Sequence, residues 1–328
     1  NSDSLENNWD FYYLVIKDNK NKIVLKTFVT VALTKDDMFN ESYVSEKIET
    51  ERSKNNPYYL TSKTVLTGSL ITKGNHVYIN YKHDHWKKAL TLLTEQLTRI
   101  QEEKNATKIM IRDFYNSQQQ GLETEMLEKG FIKFQLPKNM IIDNLNWKNT
   151  DEYLKSLSQK YRYNVKKEIL CYESHFYTES KKPKNEYEIN KTYELYENVF
   201  DNSYMFNVFK LPYEYFKQMC NSEEYDIIRL YLIKDDKKLL VGVMFSHVSN
   251  ANYNAMIVGL DYNYVYEYNV YKQILYQTVQ RAKKLNSIKI DLAFTAELEK
   301  KKLGAKPQNV FAYVQSTEHL KGSILEFI

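Results

Sequence analysis

The order of elements repeats once along the chain, and that repetition limits the fold more than any other feature. In the first half, apolar runs at 11–16 and 23–31, joined by Asp18-Asn19-Lys20-Asn21, predict a hairpin. Residues 76–80 read as a strand, and Trp86, Ala89, Leu90, Leu93, Leu97 and Ile100 recur at helical spacing. Residues 108–111 form a short buried strand closing on Arg112-Asp113, 122–129 a short helix stopped by Gly130, and 131–136 a further strand. The second half predicts the same series: a hairpin of 227–233 and 239–248, a strand over 253–260, and a helix through Val270, Ile274, Leu275, Val279 and Ala282. It continues with a strand over 288–290 ending at Asp291, a helix over 298–303 before Gly304, and a last strand over 310–314. Asp113 and Asp291 stand 178 residues apart and Gly130 and Gly304 174 apart, so two landmarks keep nearly one offset. Residues 149–172, 186–200 and 212–220 read as helices, and no Pro/Gly/Ser-rich linker separates the halves.

The expected fold class is therefore α/β, of the α+β kind, with two tandem units, each a mixed sheet flanked by helices. The first spans 1–145; the second spans 146–328, has a helical insertion at about 186–220 and carries the active site. With 328 residues, 43% of them hydrophobic, each unit can bury its own core.

Counts exclude several classes of chemistry. The eight glycines never lie closer than six residues, which removes GxGxxG, the Walker GxxxxGK[ST] and the GxSxG elbow, each of which needs glycines close together. Cys171 and Cys220 stand alone, so neither a disulfide framework nor structural zinc is expected. His83-Asp84-His85 has no third ligand near it, so no metal is expected, and His76, His175 and His319 carry no readable role. A net charge of +4 is too small to imply DNA. No apolar run approaches the length of a membrane span and the polar start is not a leader, so a cytoplasmic protein is expected.

Two short motifs carry a family resemblance. Residues 154–167, Leu-Lys-Ser-Leu-Ser-Gln-Lys-Tyr-Arg-Tyr-Asn-Val-Lys-Lys, resemble the basic helix LSKKxRxNIRK that opens the second unit of Fem-type aminoacyltransferases, builders of peptidoglycan cross-bridges. Ile290-Asp291-Leu292-Ala293-Phe294, followed by Lys300-Lys301-Lys302-Leu303-Gly304-Ala305, is similar to the "DLG … K … GA" run of that branch. The resemblance implies a tandem N-acetyltransferase (GNAT) fold of the Fem-like, acetyltransferase-like branch. It further implies an acyl- or aminoacyltransferase that forms an amide bond between a carrier-bound acyl group and an amine acceptor. The chain departs from the acetyl-CoA members at 259–269, which lacks their Q/R-x-x-G-x-G/A turn for a pyrophosphate. No tightly bound cofactor is expected; acyl-CoA, acyl carrier protein and aminoacyl-tRNA all stand as donors. Two other readings stay open: a catalytically inactive GNAT-like module binding a carrier protein or glycan precursor, and RNA binding through residues 160–167.

The resemblance also nominates residues. Arg162 and Lys166, with Lys160 and Asn164, would hold a phosphate or other anion. One lysine of 300–302 would stabilise the anionic intermediate, and Lys301 is our choice of register. Amide formation needs a proton acceptor for the amine, for which Asp291 and Asp261 at strand ends and His247 on an apolar strand are the candidates. Tyr253, Tyr268 and Tyr271 belong to a tyrosine-rich stretch that would wall an acyl channel.

Overall fold

The computed structural model describes residues 4–115, 121–249 and 251–317; His319 lies outside them. They fall into two compact units. One takes the chain up to Pro137, the segment Tyr204–Phe209 and the described residues from Asn309 on; the other takes Lys138–Ser203 and Lys210–Gln308. The elements of the first half are β1 (Asp10–Lys17), β2 (Ile23–Lys35), α1 (Ser42–Arg52), β3 (Thr61–Thr67), β4 (Val77–Ile79), α2 (Trp86–Glu103), β5 (Lys108–Tyr115), α3 (Leu122–Glu128) and β6 (Ile132–Ile142). Those of the second are α4 (Thr150–Ser156), α5 (Gln159–Glu168), β7 (Phe176–Glu179), α6 (Glu186–Asn202), α7 (Tyr213–Asn221), β8 (Tyr225–Lys234), β9 (Lys237–Ser249), β10 (Asn252–Leu260), α8 (Tyr262–Val265), α9 (Val270–Lys284), β11 (Lys289–Asp291), α10 (Glu297–Lys302) and β12 (Lys306–Ser316). The architecture is α/β with mixed sheets, and both halves run hairpin, strand, helix, strand, helix, strand.

In the first unit β1, β2 and β3 are antiparallel, and β3 lies parallel to β5 through Thr64–Leu66 against Lys108–Met110. The strand expected at 76–80 is only the three-residue β4, which pairs with β2. The place before α2 in the repeat belongs to β3, whose sequence TSKTVLT reads as polar. Its hydroxyls are satisfied inside the sheet: Thr64 and Thr34 of β2 share a hydrogen bond at 2.8 Å, and Thr67 accepts from Arg112 N–H at 3.2 Å. Threonine is a good strand residue once its hydroxyl has a partner.

The last strands also differ from the local reading. From Asn309 on, β12 belongs to the first unit and pairs antiparallel with β5, Val310 opposite Tyr115 and Ser316 opposite Lys108. Residues 138–142 of β6 belong to the second unit, where Ile142 faces Ile290 and Ile141 faces Asp291 on β11. Apolar alternation identifies a strand; its partner is a long-range choice that no local pattern encodes.

Each sheet is covered on one face by the helix that the periodicity marks. Leu90, Leu93, Leu97 and Ile100 of α2 pack with Val29, Val31, Val65 and Ile109. In the second unit Val270, Ile274, Leu275, Val279 and Ala282 of α9 pack with Leu230, Val241, Tyr253 and Ile290. The segment around Asn207 is held to the first unit by buried charges: its side chain donates to Asp37 at 2.7 Å and accepts from Lys35 at 3.0 Å, while Arg52 pairs with Asp37. Matching glycine caps close α3 and α10. Gly130 and Gly304 both have positive φ, with Phe131 N–H donating to the Met126 carbonyl and Ala305 N–H to that of Lys300.

Gly259 of β10 lets α6 approach the sheet: a Cβ there would lie 2.7 Å from backbone atoms of Leu195 and Tyr196. Gly259→Ala is expected to force α6 off the sheet and cost about 1–3 kcal/mol. Chemical denaturation checks this, and an unchanged midpoint would show that α6 is not seated there.

Candidate functional site in the second unit

The second unit contains a place where its sheet is not continuous. β10 and β11 are parallel only over Asn252–Asn254 and Lys289–Asp291. β10 then runs on to Leu260 beside β9, with a bulge between Ala255 and Ile257, whereas the chain after Asp291 turns to β6. Leu292 N–H donates to the Met140 carbonyl at 2.9 Å, and Met140 N–H to that of Ala293 at 3.0 Å. Parallel strands that part leave a cleft at their carboxyl ends, the usual ligand position in such sheets.

The chain leaving β11 is strained. Ala293, Thr295 and Ala296 have φ of 63°, 67° and 44°, a left-handed run costing on the order of 1 kcal/mol per residue. A β-branched residue such as Thr295 rarely adopts that conformation. Asp291 is buried and fixes the turn, its Oδ1 accepting from Ala293 N–H at 2.8 Å and its Oδ2 from Asn139 at 3.5 Å.

Into this turn reaches Lys300 of α10, 3% exposed, its Nζ donating to the Phe294 carbonyl at 2.5 Å. Burial pulls its pKa down to about 7, against the opposing effect of Asp291 nearby. The matching glycine caps align Lys300 with Met126 of α3, which is fully buried. The same position in one frame therefore accepts an apolar side chain in one unit and holds an amine near neutrality in the other.

Lys301, the residue singled out in the sequence, lies one position on and a third exposed, in an ion pair with Glu297 four residues earlier. Lys302 pairs with Glu168 and Glu299. The spacing held the signal for Lys300: it precedes the buried Leu303 by three residues and shares its helix face.

The remaining candidates do not form one constellation. Register aligns Asp291, Asn254 and His247 in a row across β11, β10 and β9, two strand spacings or about 10 Å from end to end. His247 is partly exposed, 3.7 Å from Glu224 and edge-on to Tyr225. Asp261 follows Leu260, which pairs with Gly242, and its N–H donates to the Val241 carbonyl, so it lies about 20 Å along β9 from His247. Its Oδ1 accepts from Asn263 at the start of α8, in a solvent-open groove shared with Glu194, Glu197 and Asp201.

On the basic helix, Arg162 is turned inward. Its guanidinium donates to the carbonyls of Leu154 at 2.8 Å, Leu157 at 3.2 Å and Lys155 at 3.3 Å, closing the end of α4. Lys160 and Lys166 are exposed, and Asn164 lines a small enclosed cavity with Glu168, Lys272 and Lys302. Tyr253 is fully buried and donates to Asp226 at 2.8 Å, with burial holding its hydroxyl protonated; it lies in the core. Tyr268 packs edge-on to His175, and Tyr271 is half-buried with its pKa raised by burial and by Glu299. Among the described residues no cluster of His, Cys, Asp and Glu could hold a metal, and no helix is long and apolar enough to cross a membrane. His83 instead lies 3.3 Å from Asp18.

No family model and no curated protein matches the chain. Solved structures do. FemX matches over 94% of this chain and 88% of its own with a TM-score of 0.60 at 11% identity. A tandem GNAT protein from the clavulanic acid biosynthesis pathway matches over 95% and 85% with 0.55 at 9%. L-PGS from Bacillus licheniformis matches over 95% and 87% with 0.52 at 8%. The chain thus has the tandem GNAT, Fem-like fold.

The state of Lys300 is visible in stability. Its folded pKa of about 7 lies below the ordinary 10.5, so between those values the unfolded chain binds the extra proton. Stability from this group therefore rises with pH through that window, and the whole penalty is present below it. Lys300→Met is expected to be more stable than the parent by a few kcal/mol near pH 6, with the difference closing as pH rises toward 10.5. Denaturation midpoints of both proteins across this range check it; a constant difference would mean that Lys300 is charged when folded.

Proposed function

We propose that the protein is an acyltransferase, acyl- or aminoacyl-, joining a carrier-bound acyl group to an amine, with Lys300 and Asp291 as its working pair. The observation that carries this reading is the buried amine with a pKa of about 7 beside the carboxylate where β10 and β11 part. The shared fold supports it: FemX, L-PGS and the tandem GNAT protein are its structural neighbours.

The neutral amine of Lys300 takes the proton that the attacking amine loses, a task suited to a group whose pKa is near the working pH. The amine nitrogen bonds to the acyl carbon, and Lys300, now a cation, faces the oxyanion of the tetrahedral intermediate. The bond from that carbon to the carrier oxygen or sulfur then breaks, and the proton passes from Lys300 to the departing carrier. Asp291 holds the left-handed turn and favours that cation. Lys301, on the exposed side, has no part in this scheme. The stretch from Asp261 to Asn269 holds the short α8 (Tyr262–Val265) in place of a glycine turn, which favours a carrier with one phosphodiester or a tRNA over a free coenzyme diphosphate.

The donor is found first by melting-temperature shifts with coenzyme A, an acyl carrier protein and aminoacyl-tRNA, and amide formation is then followed with the donor that binds. Lys300→Met is expected to lower the rate by about 10²–10³ while the fold is kept, and Lys301→Ala to leave it within about twofold. Full activity in Lys300→Met would overturn the assignment. No amide from any donor would overturn the acyl-transfer reading itself.

A further inference from the structure

The first unit has a sheet face that α2 does not cover. Tyr12, Leu14 and Ile16 of β1 pack toward α2, and alternation turns Phe11, Tyr13 and Val15 to the other side. Register sets Tyr13 opposite Phe28, Val15 opposite Lys26, and Lys26 opposite Tyr78 of β4. The rings form one surface: Phe11 stacks on Phe28 at 5.7 Å, and Tyr13 lies 5.3 Å from Phe28. Phe11 is 57% exposed and Tyr13 81%, with Val15, Ile23 and Tyr78 also open to solvent. Clustered exposed apolar side chains of this kind mark interaction surfaces.

The end of this face is cationic. Lys17, Lys20 and Lys22 are exposed at the hairpin, and Lys26 stands within the face, 5.7 Å from the Tyr78 ring. The nearby carboxylate, Asp18, is occupied by the N–H groups of Lys20 and Lys22, both at 2.8 Å, and by His83.

We propose that this face binds the surface of an anionic lipid bilayer. Tyrosine rings settle at the headgroup boundary, apolar body inward and hydroxyl toward water, and the apolar phenylalanine rings beside them are buried among the lipids. Val15 and Ile23 gain by leaving water but offer no ring on which a base could stack, which favours a bilayer over a single-stranded nucleic acid. The lysines meet anionic headgroups, each strengthening attachment by about fivefold. Apolar area and charge together give the reversible attachment of a peripheral protein. The inference is independent of the reaction.

Co-sedimentation of the full chain with phosphatidylcholine vesicles, with and without a quarter of phosphatidylserine, tests it. The chain is expected to sediment with the anionic vesicles, to be released from them by salt, and to stay in solution when the vesicles are neutral. Tyr13→Ser, which removes an exposed ring at no cost to the core, is expected to weaken binding severalfold, and Phe11→Ser with Tyr13→Ser by roughly tenfold or more. Lys20→Glu with Lys22→Glu is expected to weaken it further while melting is unchanged. Equal sedimentation with both vesicle types, or undiminished binding by these variants, overturns the proposal. So does a dimer that Tyr13→Ser dissolves, or an oligonucleotide that occupies the same residues in place of lipid.

Discussion

β10 and β11 hold each other for three residues and then separate, and the rest of the second unit is arranged around that separation. A sheet that opens between parallel strands loses ladder hydrogen bonds, and both edges need other partners. β10 keeps its ladder to β9 on one side across a bulge, while the chain leaving β11 finds Met140 of β6. The turn that carries it there includes three left-handed residues without a glycine among them. Such a turn persists only when its surroundings over-determine it; Asp291, itself held by Asn139, accepts from the Ala293 N–H, and Lys300 donates to the Phe294 carbonyl.

Comparison of the two units separates what the fold needs from what it carries. Both close the short helix with a left-handed glycine and the same hydrogen bond from the following residue, to Met126 in one and Lys300 in the other. Methionine fills its site by dispersion alone. Lysine at the aligned position must be desolvated, which opposes folding at neutral pH and is repaid only in part by the Phe294 carbonyl and Asp291. A fold that can use methionine there and holds an amine instead has retained a chemical group at the expense of stability.

Much of this was legible in the sequence. The repeated order, the central helices α2 and α9, the glycine caps and the place of Asp291 at a strand end follow from periodicity and from the two offsets. What was not legible was non-local. β3 reads as polar because its threonines find partners only inside the sheet, and the exchange of β12 and the end of β6 between units is a choice among partners far apart in sequence. Arg162 reads as an anion-binding residue because a basic helix does not reveal that its guanidinium turns back to α4. Lys301 and Lys300 differ by one position, and only the i to i+3 relation with Leu303 distinguishes the inward lysine from its neighbour. The tyrosines, grouped as a channel wall, divide between core, as Tyr253, and partly exposed rings, as Tyr268.

Lys300 is an amine whose pKa is brought down to about 7 by burial where α10 places it. The direct measurement is its titration by NMR of protein with isotopically labelled lysine, assigned by Lys300→Met. The account predicts a resonance titrating near pH 7, well apart from the surface lysines, and moving lower still in Asp291→Asn as the favourable carboxylate is lost. A Lys300 resonance titrating with the surface lysines near 10.5 would contradict it.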